Sequence, residues 1–224
     1  MIVILLGAPG SGKGTQAKRV ADRYGLTHLS TGDIFRAEIA AKTPVGLKAE
    51  GYMKSGGLVP DAIVTEMVAG RMDPARKYLL DGFPRNLEQA RSFAADLKHL
   101  GMSVGLVIYL NLPEAEVVKR LSSRRSCGKC GEVYNLLSSP PKAAGLCDKC
   151  GGPVTQREDD SEATVRKRLL VFRDLTEPLA AYYRAEGLIR EVDAAGAIDG
   201  VTKSVCAIFD EHLAESAKAG TKPK

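Results

Sequence analysis

The segment that most constrains this chain runs from Gly7 to Thr15 and reads GAPGSGKGT. It follows an apolar run, Ile2 to Leu6, that is typical of a buried β-strand, and it leads into a helical pattern that starts at Lys13. Glycines here allow backbone N–H groups to turn inward, and the N-terminus of the following helix adds its dipole. A strand, a glycine-rich loop, a lysine and a helix in this order predict a site for the phosphates of a nucleoside triphosphate.

Within this loop, Lys13 supplies a mobile positive charge for the β- and γ-phosphates, and Thr15 can help to hold a magnesium ion. The general pattern has Ser or Thr directly after the lysine, whereas here Gly14 takes that place and the hydroxyl comes one residue later. The loop alone does not distinguish kinases, GTPases and ATPases. The loop residues expected at the triphosphate are Gly10, Ser11, Gly12, Lys13, Gly14 and Thr15.

Short apolar segments alternate with helical patterns along most of the chain. Segments such as Tyr78 to Asp81 and Val104 to Leu110 are apolar on both faces, which is typical of parallel strands covered by helices on both sides. The alternation stops between Ser126 and about Asp160, where Gly, Pro, Ser and Cys dominate. We therefore predict an α/β fold, in which a parallel sheet lies between helices and carries a small inserted subdomain.

Two helical predictions bear on the candidate site. Glu114 to Arg125 has the pattern of one helix, which would place Arg120 and Arg124 on the same face. Ala163 to Ala185 has the pattern of a long helix that is interrupted only at Pro178.

Three further segments indicate a second ligand site near the loop. In STGDIFR, Thr31 can hydrogen-bond a ligand from a helix start, and Arg36 lies on the same helix. In LLDGFPR, Arg85 offers a bidentate fork to a phosphate. Gln89 follows one turn later and can contact a base edge. The break at residues 56–59, Gly-Gly-Leu-Val, could cradle a base with its backbone.

The acidic residue of LLDGFPR has a separate role. Asp81 ends a buried strand, and ligands gather at the carboxyl ends of the strands in parallel sheets. It could orient magnesium-bound water there. Gly82 follows directly and permits a ligand to approach closely.

Four of the cysteines form two pairs, Cys127-x2-Cys130 and Cys147-x2-Cys150. Each CxxC turn directs two thiolates to one point, and two such turns complete a tetrahedron. The spacing predicts a closed, structural zinc site, because disulfides are not expected in a cytosolic chain. A zinc ribbon also fits another class, a nucleic-acid- or protein-binding module, although this segment has no dense basic patch and no interleaved aromatic residues.

The segments GAPGSGKGT, STGDIFR, LLDGFPR and DDSEATVRKR stand in the order found in adenylate kinases, and the chain resembles the long bacterial form of that family with a metal-binding lid. The resemblance covers residues 1 to about 200. It implies a fold of the phosphate-loop nucleoside triphosphatase type, transfer between Mg·ATP and AMP that gives two ADP, and a cis peptide bond before Pro84. It also implies that the cysteine segment is a lid that closes over ATP and excludes water.

The resemblance assigns roles to matching positions: Arg124 at the ATP phosphates, and Arg157 and Arg168 near the transferring group and the AMP phosphate. The implied catalytic residues are Lys13, Arg85, Arg124, Arg157 and Arg168. The implied ATP-binding residues outside the loop are Arg120, Arg124, Val133, Tyr134 and Gly196. The implied AMP-binding residues are Thr31, Arg36, Gly57, Leu58, Val59, Gly82, Phe83, Pro84, Arg85, Gln89, Arg157 and Arg168.

One segment departs from the family pattern. The backbone that contacts adenine near the C-terminus usually follows a Val-Asp-Gly-like turn, whereas Val192-Asp193 continues here as Ala194-Ala195-Gly196. We expect Gly196 to make this contact.

We expect three parts: a core of residues 1–29, 60–125 and 161–224, a monophosphate-binding subdomain of residues 30–59, and a zinc-binding lid of residues 126–160. The expected ligands are ATP, AMP and ADP, with Mg²⁺ for catalysis and Zn²⁺ in the lid. No apolar run is long enough to span a membrane. Without Trp, the chain is poorly supplied for stacking on single-stranded nucleic acid. We therefore expect a cytoplasmic monomer that binds neither membrane nor nucleic acid.

Two alternatives stay open. The chain could be a kinase for UMP, CMP or GMP, because base choice depends on few contacts. It could also be a zinc-ribbon binding protein with a residual phosphate loop, although that protein would have no use for Arg36, Arg85, Arg157 and Arg168. A GTPase is disfavoured, because the sequence lacks an Asn-Lys-x-Asp motif for guanine and has Gly14 in place of the expected hydroxyl.

Overall fold

The structure is a computed structural model, and it describes residues 1–220. Its strands are β1 (Ile2–Gly7), β2 (Thr27–Ser30), β3 (Tyr78–Asp81), β4 (Val104–Asn111), β5 (Arg124–Cys127), β6 (Val133–Asn135), β7 (Val154–Thr155) and β8 (Ile189–Asp193). Its α-helices are α1 (Lys13–Tyr24), α2 (Thr31–Ala40), α3 (Pro44–Lys54), α4 (Asp61–Ala69), α5 (Leu87–His99), α6 (Glu114–Ser122), α7 (Glu162–Val171), α8 (Pro178–Ala185) and α9 (Ile198–Gly220).

Within residues 1–220, five strands form a parallel sheet in the order β2-β3-β1-β4-β8, which confirms the predicted α/β fold. β1 lies in the middle, and all of its residues are buried, whereas most residues of the edge strand β8 are not. At the carboxyl ends, Leu5 pairs with Asp81, and Asp81 pairs with Ser30. Three segments therefore leave the sheet at the carboxyl ends of its strands: the phosphate loop, the start of α2 and the LLDGFPR segment.

Helices cover both faces of this sheet. Along β1, Val3 and Leu5 pack in a cluster with Phe209 of α9, and Ile4 packs in the opposite cluster with Phe93 of α5. Each of these side chains is 2% exposed or less. Burial stabilises a fold by roughly 25 cal/mol for each Å² of apolar surface removed from water. The packing on both faces therefore fixes the strand ends from which the functional loops emerge.

The cysteine segment is more regular than its sequence suggests. β5 pairs antiparallel with β6 and β7, so the described chain contains a separate three-stranded sheet. The predicted helix from Glu114 to Arg125 is wrong at its end, because α6 stops at Ser122 and Arg124 pairs with Asn135. Serine is a weak helix former, and the ladder with β6 outweighs one more helical turn. Arg120 and Arg124 consequently do not share a helix face.

The predicted helix from Ala163 to Ala185 changes to π-helical geometry before the predicted interruption at Pro178. α7 ends at Val171 and α8 begins at Pro178, with a π-helical turn between them. Pro178 has no N–H to donate to a carbonyl one turn back. In the π-helical turn, the hydroxyl of Thr176 donates to the carbonyl oxygen of Arg85 at 2.7 Å. This bond connects the π-helical turn to the LLDGFPR segment.

The last helix, α9, is fastened to α1. The side-chain amide of Gln16 donates to the carbonyl oxygen of Ile198 at 3.2 Å, and its Oε1 accepts from the hydroxyl of Thr202 at 2.8 Å. Among the described residues, no helix combines the length and apolar character that a bilayer crossing requires. The end of the predicted core, residues 221–224, lies outside the described residues.

Candidate active site

Glycines give the phosphate loop its shape. Gly7 and Gly12 have φ angles of 147° and 96°, which other residues rarely adopt. A Cβ on Gly7 would lie 2.6 Å from the carbonyl oxygen of Leu110 on the neighbouring β4. Gly12 precedes α1 and has no side chain that could cap the first N–H groups of this helix. The first N–H groups of a helix have no partner within it, so the start of α1 offers donors to an anion.

The ammonium group of Lys13 is held inside this loop. Its Nζ donates to the carbonyl oxygens of Gly7 and Ala8, both at 2.8 Å. Burial lowers the pKa of Lys13 to about 8; the carboxylate of Asp81 opposes this shift, and nearby arginines add to it. A phosphate in the loop would supply the negative charge that this buried cation lacks.

A cavity of about 980 Å³ adjoins the loop. This volume is at the upper end of the roughly 300–1,000 Å³ of ordinary ligand sites and is ample for a nucleoside triphosphate. Its walls come from the main sheet, the cysteine segment and the turn after β8. The sequence-predicted ATP-binding residues that line it are Gly10, Ser11, Gly12, Lys13, Gly14, Thr15, Arg120, Arg124, Val133, Tyr134 and Gly196.

Two acidic residues hold two of the arginines at this cavity. The carboxylate of Asp160, whose side chain is 0% exposed, accepts from Arg124 at 2.7 and 2.5 Å and from Arg168 at 3.1 Å. Arg168 also lies 2.9 Å from the carboxylate of Asp159. Paired guanidinium groups of this kind are oriented before a ligand arrives, so they need little reorganisation to bind one.

Two other arginines have neutral partners. The Nε of Arg157 donates to the hydroxyl of Ser126 at 2.6 Å, and the Nε of Arg85 donates to the carbonyl oxygen of Gly82 at 2.7 Å. Burial, followed by repulsion from neighbouring arginines, lowers the pKa of both guanidinium groups. A phosphate bound between these groups would relieve the repulsion.

A second cavity, of about 80 Å³, lies between α2, the break after α3 and the LLDGFPR segment. The hydroxyl of Thr31 donates to the carbonyl oxygen of Gly82 at 2.9 Å and so joins two of its walls. The sequence-predicted AMP-binding residues that line it are Thr31, Arg36, Gly57, Leu58, Val59, Gly82, Arg85, Gln89 and Arg168. Several of these residues, including Arg36, Arg85 and Arg168, line the larger cavity as well.

The remaining predicted AMP-binding residues lie elsewhere. Pro84 and Arg157 line the larger cavity. The ring of Phe83 is 1% exposed and packs edge-on against Phe93, with the ring centroids 5.0 Å apart. The peptide bond between Phe83 and Pro84 is cis, as the resemblance implies. The side chain of Phe83 is therefore part of the core, and the backbone of this residue is what can approach a ligand.

The cysteine pairs meet at one point. Their Sγ atoms all lie within 4.8 Å of one another, and the distances Cys127–Cys150 and Cys130–Cys147 are 3.5 Å. A tetrahedral ion with metal–sulfur bonds of about 2.3 Å sets its sulfurs roughly 3.8 Å apart. The cysteines are free thiols rather than disulfides. The donor set therefore fits the predicted metal site.

Tyr134 connects these thiols to the larger cavity, a connection that the sequence did not reveal. Its hydroxyl accepts from the backbone N–H of Asp148 at 2.8 Å and lies 3.4 Å from the Sγ of Cys147. The hydrogen bond from Tyr134 is the main cause that lowers the pKa of Cys147 to about 6. It thereby favours the thiolate form, which is the form that binds metals.

These cavities and thiols agree with comparisons to known proteins. The adenylate kinase family model matches residues 5–188. An adenylate kinase from Thermodesulfovibrio yellowstonii is 47% identical over 214 residues, which are 94% of this chain and 100% of that protein. One from Archaeoglobus fulgidus is 48% identical over 94% of this chain and 99% of that protein, and one from Streptomyces avermitilis is 47% identical over 91% and 94%.

The chain belongs to the adenylate kinase family.

The turn that departs from the adenylate kinase pattern is well anchored. A terminal nitrogen of Arg120 donates to the carbonyl oxygens of Ala194 and Ala195, at 2.8 and 3.0 Å. Arg120, an implied ATP-binding residue, thus also fixes the turn that carries Gly196. Gly196 lines the larger cavity, which keeps it available for the predicted backbone contact.

One acidic residue near the smaller cavity was not predicted from the sequence. Asp61, the first residue of α4, accepts a hydrogen bond from the side-chain amide of Gln89 at 2.6 Å. Its position could have indicated a role, because Asp61 comes two residues after Val59, the last residue of the segment predicted to hold a base.

Proposed function

We propose that the chain transfers the terminal phosphoryl group of Mg·ATP reversibly to AMP and so gives two ADP. The supporting observation is that the two cavities share a wall. Arg36, Arg85 and Arg168 line both, so anions bound in the two cavities would face each other across these guanidinium groups. Two adjoining nucleotide sites with cations between them are what positioning and charge neutralisation in phosphoryl transfer require.

In this proposal the predicted residues keep their roles. Lys13 and the loop N–H groups bind the β- and γ-phosphates, and Arg124 and Arg157 neutralise charge on the transferring group. Arg85 and Arg168 bind the phosphate of AMP from the shared wall. The larger cavity takes ATP between Arg120, Val133, Tyr134 and Gly196, and the smaller cavity takes the base of AMP between Thr31, Gly57, Leu58, Val59 and Gln89. These assignments place guanidinium groups where negative charge spreads over the phosphoryl oxygens in the transition state.

Oxygen ligands for Mg²⁺ are present where the loop meets the sheet. Magnesium takes hydroxyl, carboxylate and water oxygens, which Thr15 and Asp81 can supply directly or through water. A Cβ on Gly14 would lie 3.4 Å from Oδ2 of Asp81, which is an ordinary van der Waals contact, so the carboxylate lies directly beside the loop. When bound, magnesium neutralises negative charge on the phosphates.

We propose Zn²⁺ as the ion of the cysteine site. A closed tetrathiolate set suits zinc, and iron or cobalt are the ions that also fit such donors. Metal analysis of the purified protein distinguishes them: we expect one zinc per chain. With the ion bound, the segment acts as a lid that excludes water from the ATP phosphates.

We propose that the three parts of the chain have the roles that the sequence predicts. Residues 30–59 form the monophosphate-binding subdomain, residues 126–160 form the lid, and the rest forms the core. We also propose that the protein is a monomer, because both cavities are built by one chain, and that it is cytoplasmic. Sedimentation of the purified protein with and without nucleotides tests the monomer.

The decisive experiment compares acceptors. Initial rates of ADP formation are measured with Mg·ATP and each of AMP, UMP, CMP and GMP. We expect kcat/KM to be highest for AMP. A higher value for another monophosphate would identify a different nucleoside monophosphate kinase. No turnover with any acceptor would favour the zinc-ribbon binding protein.

A further inference from the structure

A part-buried hydrogen-bond chain centred on Gln89 lies beside the smaller cavity. This residue is 2% exposed and lines the smaller cavity. Its Oε1 accepts from the backbone N–H of Arg85 at 2.7 Å, and its Nε2 donates to Oδ1 of Asp61 at 2.6 Å. Both ends of the amide are therefore engaged by the protein itself.

Asn86 completes the chain. Its Nδ2 donates to Oδ1 and Oδ2 of Asp61 at 3.1 and 2.9 Å, and its Oδ1 caps α5 by accepting from the backbone N–H of Gln89 at 2.8 Å. A backbone N–H only donates, and an ionised carboxylate only accepts. With Arg85 at one end and Asp61 at the other, the Gln89 amide has one orientation that satisfies both partners.

We propose that Asp61 is a positioning residue that fixes the orientation of the Gln89 amide and thereby the preference for adenine over guanine in the acceptor. This inference rests on the proposed function, and it adds a determinant of acceptor specificity. Asp61 itself is not among the residues that line the cavity, so it acts through Gln89.

The chemistry of the amide explains the preference. Its oxygen has two lone pairs and its nitrogen two hydrogens, so the bonds to Arg85 and Asp61 leave one acceptor and one donor for a base. Adenine presents an amino donor next to a ring-nitrogen acceptor, whereas guanine presents a carbonyl acceptor in the place of that amino group. An amide that could turn over would suit either base. An amide fixed with its acceptor towards the amino group faces the carbonyl of guanine with a like group, which disfavours guanine.

The test is the variant D61N. Its amide puts an N–H donor where one carboxylate oxygen accepts, so the new amide faces the donor of Gln89 or of Asn86 with a like group. This weakens the hold on the Gln89 amide and leaves the backbone N–H of Arg85 as the one unchanged partner that orients it. We expect the ratio of kcat/KM for AMP to that for GMP to fall about tenfold, as for the loss of one well-formed hydrogen bond. The change should come from a higher KM for AMP, with kcat and the KM for ATP within about twofold of wild type.

The matched control is E66Q, which removes a carboxylate from an exposed position of the same helix. It should keep the wild-type ratio. Thermal melting of both variants shows whether they fold.

A second variant, D61N/Q89E, keeps the net charge and lets the new amide donate to the new carboxylate. Position 89 then presents acceptors alone, which suit guanine once the base shifts so that its ring N–H and amino donors, rather than its carbonyl, face this position. We expect the ratio to shift further towards GMP than in D61N, and this variant decides the question if D61N does not fold. Folded variants that keep the wild-type ratio within about twofold would overturn the inference. Failure of the proposed function would be distinct, because wild type itself would then not phosphorylate AMP.

Discussion

The main sheet and the lid are stabilised by different forces. The sheet lies between two large apolar clusters, in which side chains such as Phe93 and Phe209 are buried. The lid cluster in the described residues consists of Cys127, Tyr134, Cys147 and Val154, with Cys150 packed against it. So small an apolar cluster cannot offset the entropy of ordering the segment, and metal binding can supply the difference. The sheet thus holds the phosphate loop without a metal, whereas we expect the fold of the proposed lid to depend on one.

Removing the metal should produce the largest effect. Structural zinc contributes roughly 10–16 kcal/mol of apparent binding energy in small zinc peptides, so the lid should lose its structure without it. We expect amide exchange after chelation to become fast in β5, β6 and β7 and to stay slow in β1, β3 and β4. C147S should behave as the chelated protein does, and C206A, which removes a buried thiol outside the lid, should keep a protected lid. Equal loss of protection in both sheets would contradict the comparison.

Truncating apolar side chains in the two regions should sharpen the contrast. Phe93→Ala removes a ring from the core, and we expect it to lower the free energy of unfolding by about 3–5 kcal/mol. Leu137→Ala in the lid removes a side chain that is 63% exposed, and we expect a change of about 0.5 kcal/mol or less. Urea denaturation of the metal-loaded proteins measures both. Similar losses in the two variants would show that the lid has an apolar core after all.

The arginines at the junction of lid and core should affect turnover more than binding. Arg124→Ala and Arg157→Ala each remove a charge that we assign to the transition state, so kcat should fall about 100- to 1,000-fold with smaller changes in KM. Arg166→Ala is the matched control, since Arg166 is exposed and pairs with Glu162 at 2.8 Å. Steady-state kinetics with ATP and AMP give these values. An unchanged kcat in both variants would remove these residues from the catalytic set.

A smaller effect should come from Lys13. Its pKa in the ligand-free protein is lowered to about 8, and ATP binds the protonated form. The affinity for ATP should therefore be full below that pH and fall as the pH rises through it, by up to about tenfold per unit. Calorimetric titrations between pH 7 and 9.5 measure the dissociation constant. K18Q should keep this dependence, and K13R should abolish it. A constant affinity in wild type would contradict the assignment.

The sequence was sufficient for the features set by local pattern. The strand, loop and helix around Lys13 are specified by contiguous residues, and so is the spacing that brings Cys127 and Cys147 together. Features that depend on pairing between distant segments were missed. Arg124 was assigned to a helix because nothing nearby shows that Asn135 lies opposite it in a strand.

The contacts that were missed at the site have the same cause. Asp61 and Gln89 are far apart along the chain and meet because α4 and α5 start side by side, which no periodicity shows. Tyr134 reads as a lining residue of the ATP site, and its bond to Cys147 becomes visible only when β6 is folded against the thiols. The residue types at the site could be predicted, whereas the contacts that orient them could not.

The most direct test of the account is the fate of the terminal phosphate in metal-loaded and metal-stripped protein. ADP and inorganic phosphate are measured together, with Mg·ATP in the presence and absence of AMP. The account predicts that the loaded protein forms two ADP for each AMP consumed and releases almost no inorganic phosphate. It predicts that the stripped protein, with its sheet still folded, transfers more slowly and loses a larger share of the phosphate to water. Inorganic phosphate formed by the loaded protein in amounts comparable to ADP, or transfer that is unchanged by stripping, would contradict it.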